Sequence, residues 1–305
     1  MAEITQQDAS RLLGARRQPG ANQRRRRVGF IVGRVLILIV LSIGALIFAA
    51  PFIWLVSSSL KEPSKIWVFP PQLIPNPIRW ANYTEAMTSA PFGRYAINTL
   101  IIVLGNEIGT LLTCSLAAYG FAKLRFKGRD LAFTILLSTI MLPWMVTMIP
   151  KYIMFKYLGW LNTMLPLIVP SWFAAGPSCV FYIFLLRQFF RTIPKDFSDA
   201  ARIDGANEFQ IYFRIMIPLI KPALTVVAIF TFLYHWNDFL APLIYLTSPQ
   251  NYTLSVGLAA FRGLYQTDWH YLMAASTVTV IPVLVLFFAA QRYFIQGVVL
   301  SGLKG

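Results

Sequence analysis

The chain has 305 residues, of which 57% are hydrophobic and only 13% charged, and its mean hydropathy is +0.60. Soluble domains run at about 45–50% apolar residues, so a soluble globular fold is excluded and a membrane protein is expected. The formal net charge of +15 does not point to nucleic acid, because the basic residues flank apolar stretches instead of forming a basic face interleaved with exposed aromatics.

Apolar runs of about 20 residues, the length that crosses ~30 Å of hydrocarbon at 1.5 Å per residue, recur six times. They lie at 35–59, 96–122, 131–149, 164–186, 223–246 and 271–291. None alternates with period two, so a barrel is not indicated. The expected fold is an all-α integral membrane bundle of six transmembrane helices, each satisfying its own backbone within lipid. With the N-terminus inside, 20 of the 27 Lys and Arg residues fall on the cytoplasmic side and seven on the outer side. That bias predicts both termini in the cytoplasm.

Residues 1–34 form a basic arm expected to be disordered and cytoplasmic. The span after the arginine run 24–27 is too long for a signal-peptide core and is followed by no clear small-residue cleavage site, so an uncleaved first helix is expected. Cys114 and Cys179 both fall inside apolar spans, where they read as small packed residues and not as a disulfide framework or metal ligands. His235 and His270 are too few and too isolated for a metal site or proton relay.

Two loops are long. The outer one, 60–95, is rich in Pro (63, 70, 71, 75, 77 and 91) and carries Trp67, Phe69, Trp80 and Tyr83. It reads as an extended, partly packed lid or brace at the interface. The inner one, 187–222, carries helix punctuation. Asp196 can cap a helix with Asp199 three residues on, Gly205 can end it, Asn207 with Gln210 can cap a second, and Pro218 can close that one. Two short helices meeting at a glycine are expected. Phe197, Ala200, Ala201 and Asp204 recur at helical spacing in the first, a surface that fits a partner's groove. An amphipathic connector on the membrane surface, using Phe209, Tyr212, Phe213 and Met216, is the plainer account of the same residues.

The stretch Asp199-Ala200-Ala201, three residues, Gly205, nine residues, Ile215-Met216-Ile217-Pro218 resembles the signature cytoplasmic loop of permease subunits in bacterial binding-protein-dependent ABC importers. Asp199 replaces the usual Glu and Ile217 the usual Leu. Further likeness to the carbohydrate branch, specifically the shorter permease of maltose-type systems, lies in residues 184–190, in Ala200-Ala201-Arg202-Ile203-Asp204-Gly205-Ala206, in residues 236–243, in Tyr252-Thr253-Leu254 with Gly257, and in the ending Gly302-Leu303-Lys304-Gly305. The resemblance implies that Asp199, Ala200, Ala201, Asp204, Gly205, Ala206, Ile215 and Pro218 couple the chain to cytoplasmic ATPases. It also implies a second, paralogous permease, two ATPase subunits that bind ATP and Mg, and an extracytoplasmic sugar-binding protein.

This chain contains no Gly-x-x-x-x-Gly-Lys-Ser/Thr phosphate loop, so ATP is expected to be hydrolysed on partner subunits and the chain itself is not an enzyme. For the substrate path the residues offer Tyr234, Trp236, Asn237 and Asp238, since an ionisable residue inside a span is a functional candidate. Their alternative role is to tie the fifth helix to its neighbours. Pro242 leaves the Asp238 carbonyl without its helical donor and predicts a kink. Glu107, within Gly105-x-x-x-Gly109, reads as a helix-pairing carboxylate or a path residue. By resemblance Phe261, Arg262, Gly263, Tyr265 and Trp269 reach the binding protein, or else they form an interfacial aromatic belt. The C-terminal tail, 292–305, either touches the ATPases or frays. Import of glycerol-phosphate or another polyol is compatible with the same motifs. An ion-coupled secondary transporter is the weaker rival, since no clear internal repeat is found and only Glu107 and Asp238 are acidic residues within the spans.

Overall fold

In the computed structural model, residues 21–263 and 267–302 are described, with side chains from 30 to 291. The chain divides into two units, Met1–Val56 and Ser57–Gly305. Among the described residues the structure is helical, with one isolated antiparallel bridge between Arg262 and Thr267.

The helices are α1 (Ala21–Ser59), α2 (Ala81–Ser89), α3 (Phe92–Lys123), α4 (Arg129–Ser138), α5 (Trp144–Tyr157), α6 (Leu165–Ile168) and α7 (Cys179–Thr192). They are followed by α8 (Asp196–Ile203), α9 (Glu208–Ile211), α10 (Ile217–Leu219), α11 (Lys221–Asn237), α12 (Leu240–Tyr245), α13 (Leu254–Ala259) and α14 (Trp269–Gly302).

Of the six expected apolar spans, three are continuous helices long and apolar enough to cross a membrane: Phe30–Ser59, Phe92–Lys123 and Trp269–Gln291. Two more qualify only as bent pairs, Arg129–Met141 with Trp144–Tyr157 at 98° and Glu208–Leu219 with Lys221–Asn237 at 80°. The remaining run, 164–186, is interrupted. Its α6 gives way to a 3-10 stretch, Val169–Phe173, then to left-handed Ala174 and Ser178 before α7 begins. Prolines explain the breaks, because each lacks the amide hydrogen that a continuing helix needs. Pro143 sits at the first bend, Pro218 and Pro222 bracket the second, and Pro166, Pro170 and Pro177 punctuate the interrupted run.

The long α3 is the spine of the second unit. Gly105 and Gly109 open its face to the 165–173 segment so closely that a Cβ at Gly109 would lie 2.7 Å from Trp172 Cδ1, and one at Gly105 would lie 2.8 Å from Ile168 Cγ2. The Trp172 indole donates to the Gly105 carbonyl at 3.0 Å. Asn106 donates to the Leu167 carbonyl at 2.8 Å and bonds the Ser171 hydroxyl. The polar pairing expected of Glu107 is therefore made by its neighbour. Among the described residues Glu107 Oε2 is buried without a hydrogen-bond partner, beside Thr225, Phe232 and Ala289.

At one end of α3, Cys114, Ala118 and Tyr119 pack with Phe133, Ile183, Leu186 and Phe190. The Cys114 thiol faces the Cys179 carbonyl at 3.7 Å, and both cysteines are buried and free. At the other end Phe92 and Tyr95 pack with Leu254, Phe261 and Ala274. The 60–95 loop behaves as a brace. The Asn82 amide donates to the Ser59 and Lys61 carbonyls at 2.9 and 2.8 Å. Glu85 takes two bonds from Arg79, at 3.0 and 2.9 Å, and one from the Tyr271 hydroxyl at 2.9 Å. The Tyr271 bond, and then Arg79, hold the Glu85 carboxyl below the usual range.

Candidate functional site

The elbow between α7 and α11 is built in three steps. Lys195 stands at the N-terminal boundary of α8, and its carbonyl accepts the Ser198 and Asp199 amides at 2.8 and 3.0 Å. Asp196, the expected cap, is instead the first helical residue. There its carboxylate complements the helix dipole without capping it. The helix ends in a Schellman motif: Ala206 N–H bonds the Ala201 carbonyl at 2.9 Å and Gly205 N–H bonds the Arg202 carbonyl at 3.0 Å, which requires a left-handed residue at Gly205. Gly205 has φ +83°.

The second helix then starts on a capping box. The Asn207 side chain accepts from Gln210 N–H and the Gln210 side chain accepts from Asn207 N–H, both at 2.9 Å. Pro218 does not close this helix as expected. The backbone widens into a π turn over Tyr212–Met216, with Ile217 N–H bonded to the Tyr212 carbonyl, and resumes as α10, so the break falls at Ile220. A π turn ahead of a proline loosens the ladder where the ring would otherwise crowd the preceding turn.

The elbow is fixed to the bundle from beneath. Ala201, Ile211, Tyr212, Met216 and Ile220 are all buried in the cluster around Tyr119 and Phe190. The Ser115 and Tyr212 hydroxyls share a hydrogen bond of 2.6 Å. A charged strut crosses the bend: Arg202 bonds Asp199 at 2.7 Å and Glu208 at 2.9 and 3.0 Å, and Glu208 takes a further bond of 2.7 Å from the Tyr119 hydroxyl. An isolated exposed ion pair contributes only about 0–1 kcal/mol. Here Glu208 serves both sides of the bend and a residue of α3, so its effect is geometric: it sets the angle between α8 and α9.

Of the residues expected at this site, Asp199, Ala200, Asp204, Gly205 and Pro218 are exposed, Ala206 and Ile215 are half-buried, and Ala201 is buried against the chain's own core. The exposed face thus combines Ala200, Asp204 and Gly205 with Phe197, Ile203 (86% exposed) and Phe209 (70% exposed). Sequence reasoning missed the Arg202–Glu208–Tyr119 strut. Its signals were Arg202 three residues after Asp199, a helical i,i+3 pair, and Glu208 directly after the capping Asn207.

The structure separates the residues expected on a substrate path. Trp236 is buried, stacks on Phe232 at 5.3 Å between ring centres, and donates its indole N–H to the Thr279 carbonyl at 3.1 Å. It ties α11 to α14. Tyr234 and Asn237 are exposed, with the Asn237 amide turned back onto the Leu233 carbonyl at 2.8 Å. At Asp238 the backbone leaves the helix, as Pro242 predicts, and the freed Asp238 carbonyl accepts the Ser255 hydroxyl at 2.5 Å. The Asp238 carboxylate accepts Ala241 N–H at 3.3 Å and, with Lys151, His235 and Tyr245, lines a cavity of about 50 Å³.

On the opposite end, Phe261 stacks on Phe92 at 5.4 Å and is buried, while Trp269 meets Trp67 edge-on at 5.3 Å. Arg262 and Gly263 are exposed. Tyr265 lies outside the described residues, as do residues 1–20 of the basic arm and 303–305 of the tail.

Residues 109–299 match the model of the family described as binding-protein-dependent transport system inner membrane component. The chain belongs to this family. The fold is that of an ABC importer permease: the chain superposes with TM-score 0.75 and 26% identity on a chain in the crystal structure of a bacterial ABC transporter involved in the import of the acidic polysaccharide alginate, over 89% of this chain and 98% of that one. Relatives of this permease include the arabinooligosaccharides transport system permease protein AraQ of Bacillus subtilis, 33% identical over 90% of this chain and 98% of that one. The melibiose/raffinose/stachyose import permease protein MelC of the same species is 35% identical, over 84% and 91% respectively. The diacetylchitobiose uptake system permease protein NgcG of Streptomyces coelicolor is 35% identical, over 81% and 82%. The permease is thus a sugar-type ABC transport membrane component, and the matched segment takes in the whole elbow.

Proposed function

We propose that this chain is one of two paralogous permeases forming the translocation path of an ATP-driven importer for a di- or oligosaccharide. It works with two cytoplasmic ATPases and an extracytoplasmic sugar-binding protein. The observation that carries the reading is the elbow: a helix ended by left-handed Gly205, reset by the Asn207–Gln210 box, strutted by Arg202 and Glu208, and rooted in the bundle through Tyr212. A rigid protrusion of this kind transmits a push, because its exposed face cannot move without moving the helices beneath it.

In this reading the chain crosses the membrane six times, with the interrupted run 164–186 counted as one crossing, and both termini lie in the cytoplasm. Residues 1–34 are an arm and 60–95 an outer brace, while 96–291 form the permease core. Residues 187–222 are the coupling loop and 292–305 a cytoplasmic tail. ATP and Mg are held by the partner ATPases. Closure of those subunits drives the 199–218 segment and the bundles alternate access. Arg262 and Gly263 approach the binding protein, with Tyr265 and the packed Phe261 and Trp269 completing that loop. Tyr234, Asn237 and Asp238 face the sugar, with Trp236 behind them holding the helix. The di- or oligosaccharide class is supported by the substrates named for AraQ, MelC and NgcG.

Uptake of labelled oligosaccharides by the complex reconstituted in vesicles tests the proposal. Transport should require ATP, the ATPases and the binding protein together. Transport driven by an ion gradient without the ATPases would overturn it.

A further inference from the structure

Beside the elbow lies a basic basin that the coupling reading does not use. It runs from the end of α3 across the start of α4 to the end of α7, and its largest part encloses about 640 Å³. Lys195 lines each of its three sectors, Arg125 and Arg191 two each. Three carboxylates reach the basin and all are engaged: Asp130 with Arg129 at 3.0 Å and Arg187 at 3.9 Å, and Asp199 and Glu208 with Arg202. Lys123 donates to the neutral Ile193 carbonyl at 2.7 Å. Among the described residues Arg125, Arg191 and Lys195 form no ion pair, so the basin carries uncompensated positive charge.

The floor is prebuilt. Arg187 is 8% exposed, lies 3.9 Å over the Phe133 ring and donates to the Phe121 carbonyl at 3.2 Å. A guanidinium held this way cannot swing off into water when the basin is empty. The rim is apolar on one side only. Phe126 and Leu131 line it, and Ile135, one turn further along α4, continues the stripe, with exposures of 49, 66 and 57%. Leu131 and Ile135 share a helix face at i,i+4 spacing.

A cluster of cations continuous with an exposed apolar helix stripe matches a molecule with an anionic head and a hydrocarbon tail, placed where apolar helices end. Basic pockets between the ends of membrane helices take phospholipid head groups by the same physics. An acidic protein segment would match the charge but leave the stripe bare. We propose that the basin is a headgroup site for an anionic phospholipid, its phosphate among Arg125, Arg191 and Lys195 and its acyl chains along Leu131 and Ile135. Because Asp199, Arg202 and Glu208 form the far wall, the bound lipid abuts the strut that sets the elbow angle. This proposal stands apart from which sugar is carried or whether the elbow meets an ATPase.

Native mass spectrometry of the full-length chain in uncharged detergent, titrated with dioleoyl phosphatidylglycerol or phosphatidylcholine, is the test. The anionic lipid should be retained at least tenfold better. The combined Arg125→Gln, Arg191→Gln and Lys195→Gln variant should abolish that preference, since each cation near a lipid surface contributes roughly fivefold to it. Removing three cations elsewhere (Lys65→Gln, Arg94→Gln, Lys156→Gln) should leave it. A short-chain phosphatidylglycerol on the unaltered protein should bind much more weakly, a comparison that needs no variant to fold. Equal retention of both head groups, binding unaffected by the triple change, equal binding of the short-chain lipid, or full competition by inorganic phosphate would overturn the proposal. Loss of lipid from the assembled complex, with Lys195 crosslinked to an acidic residue of a cytoplasmic subunit, would assign the basin to a protein partner instead.

Discussion

Gly205→Val should leave the permease folded and inserted yet lower the sugar transported per ATP hydrolysed by about tenfold, the size expected when a side chain is forced into the left-handed region at roughly 1–2 kcal/mol. A Cβ built on Gly205 meets nothing within 4 Å, so no clash within the chain contributes. The cost arises from φ +83° alone, a region that β-branched residues avoid. The backbone relieves it by giving up the two terminal bonds of α8, from Gly205 to Arg202 and from Ala206 to Ala201. That swings Ala200, Ile203 and Asp204 off their positions while the buried roots of the elbow stay in place. Asparagine tolerates left-handed backbone, so Gly205→Asn should recover most of the coupling. ATPase and uptake rates measured together on the same vesicles decide the matter. Normal coupling in the valine variant would remove Gly205 from the mechanism. An asparagine variant as damaged as the valine one would mean that side-chain bulk against a partner, and not backbone conformation, is what counts.

The largest structural effect is expected within α3. Gly109→Val should lower the melting temperature of the purified subunit by roughly 5 °C or more, since overpacking a close contact typically costs about 1–3 kcal/mol. The new Cβ would sit 2.7 Å from Cδ1, 2.9 Å from Nε1 and 3.0 Å from Cγ of Trp172. That ring is pinned by its bond to the Gly105 carbonyl, so it cannot step aside without losing the bond. Gly120 on the same helix has nothing within 4 Å of an added Cβ, so Gly120→Ala should be near neutral or slightly stabilising, since alanine favours helix over glycine. Thermal unfolding in detergent separates the two. Equal melting temperatures for the Gly109 and Gly120 variants would contradict the packing of α3 on Trp172.

The elbow was legible in the sequence because its signals are local. Gly205 must be left-handed for the helix to stop there, and Asn207 with Gln210 supplies a cap within four residues. The Gly105-x-x-x-Gly109 pattern likewise announced a close contact, although the sequence could not say that Trp172 and Ile168 fill it. What escaped depends on partners distant in the chain. Glu208 finds Tyr119 across 89 positions, and Trp236 finds Thr279 across 43, which turns an aromatic expected to face sugar into a packing residue. The breaks inside two of the spans escaped for a different reason. Hydropathy averages over prolines, so runs at 131–149 and 164–186 read as straight helices although Pro143, Pro166, Pro170 and Pro177 break them. Asp196 was read as a cap because Asp is a good one. Lys195 instead takes the boundary position, which makes Asp196 the first residue of α8.

The central claim is that the exposed face of the elbow is where a separate ATPase pushes. Ile203→Cys places a thiol on that face at a position 86% exposed, with the native Cys114 and Cys179 buried and out of reach. Disulfide trapping against single cysteines along the ATPase surface, in the assembled transporter with and without ATP, is the direct measurement. The account predicts a crosslink to the ATPase whose yield changes when ATP binds. No crosslink at any ATPase position, together with labelling of Ile203→Cys by an impermeant thiol reagent from the side of the 60–95 loop, would contradict it.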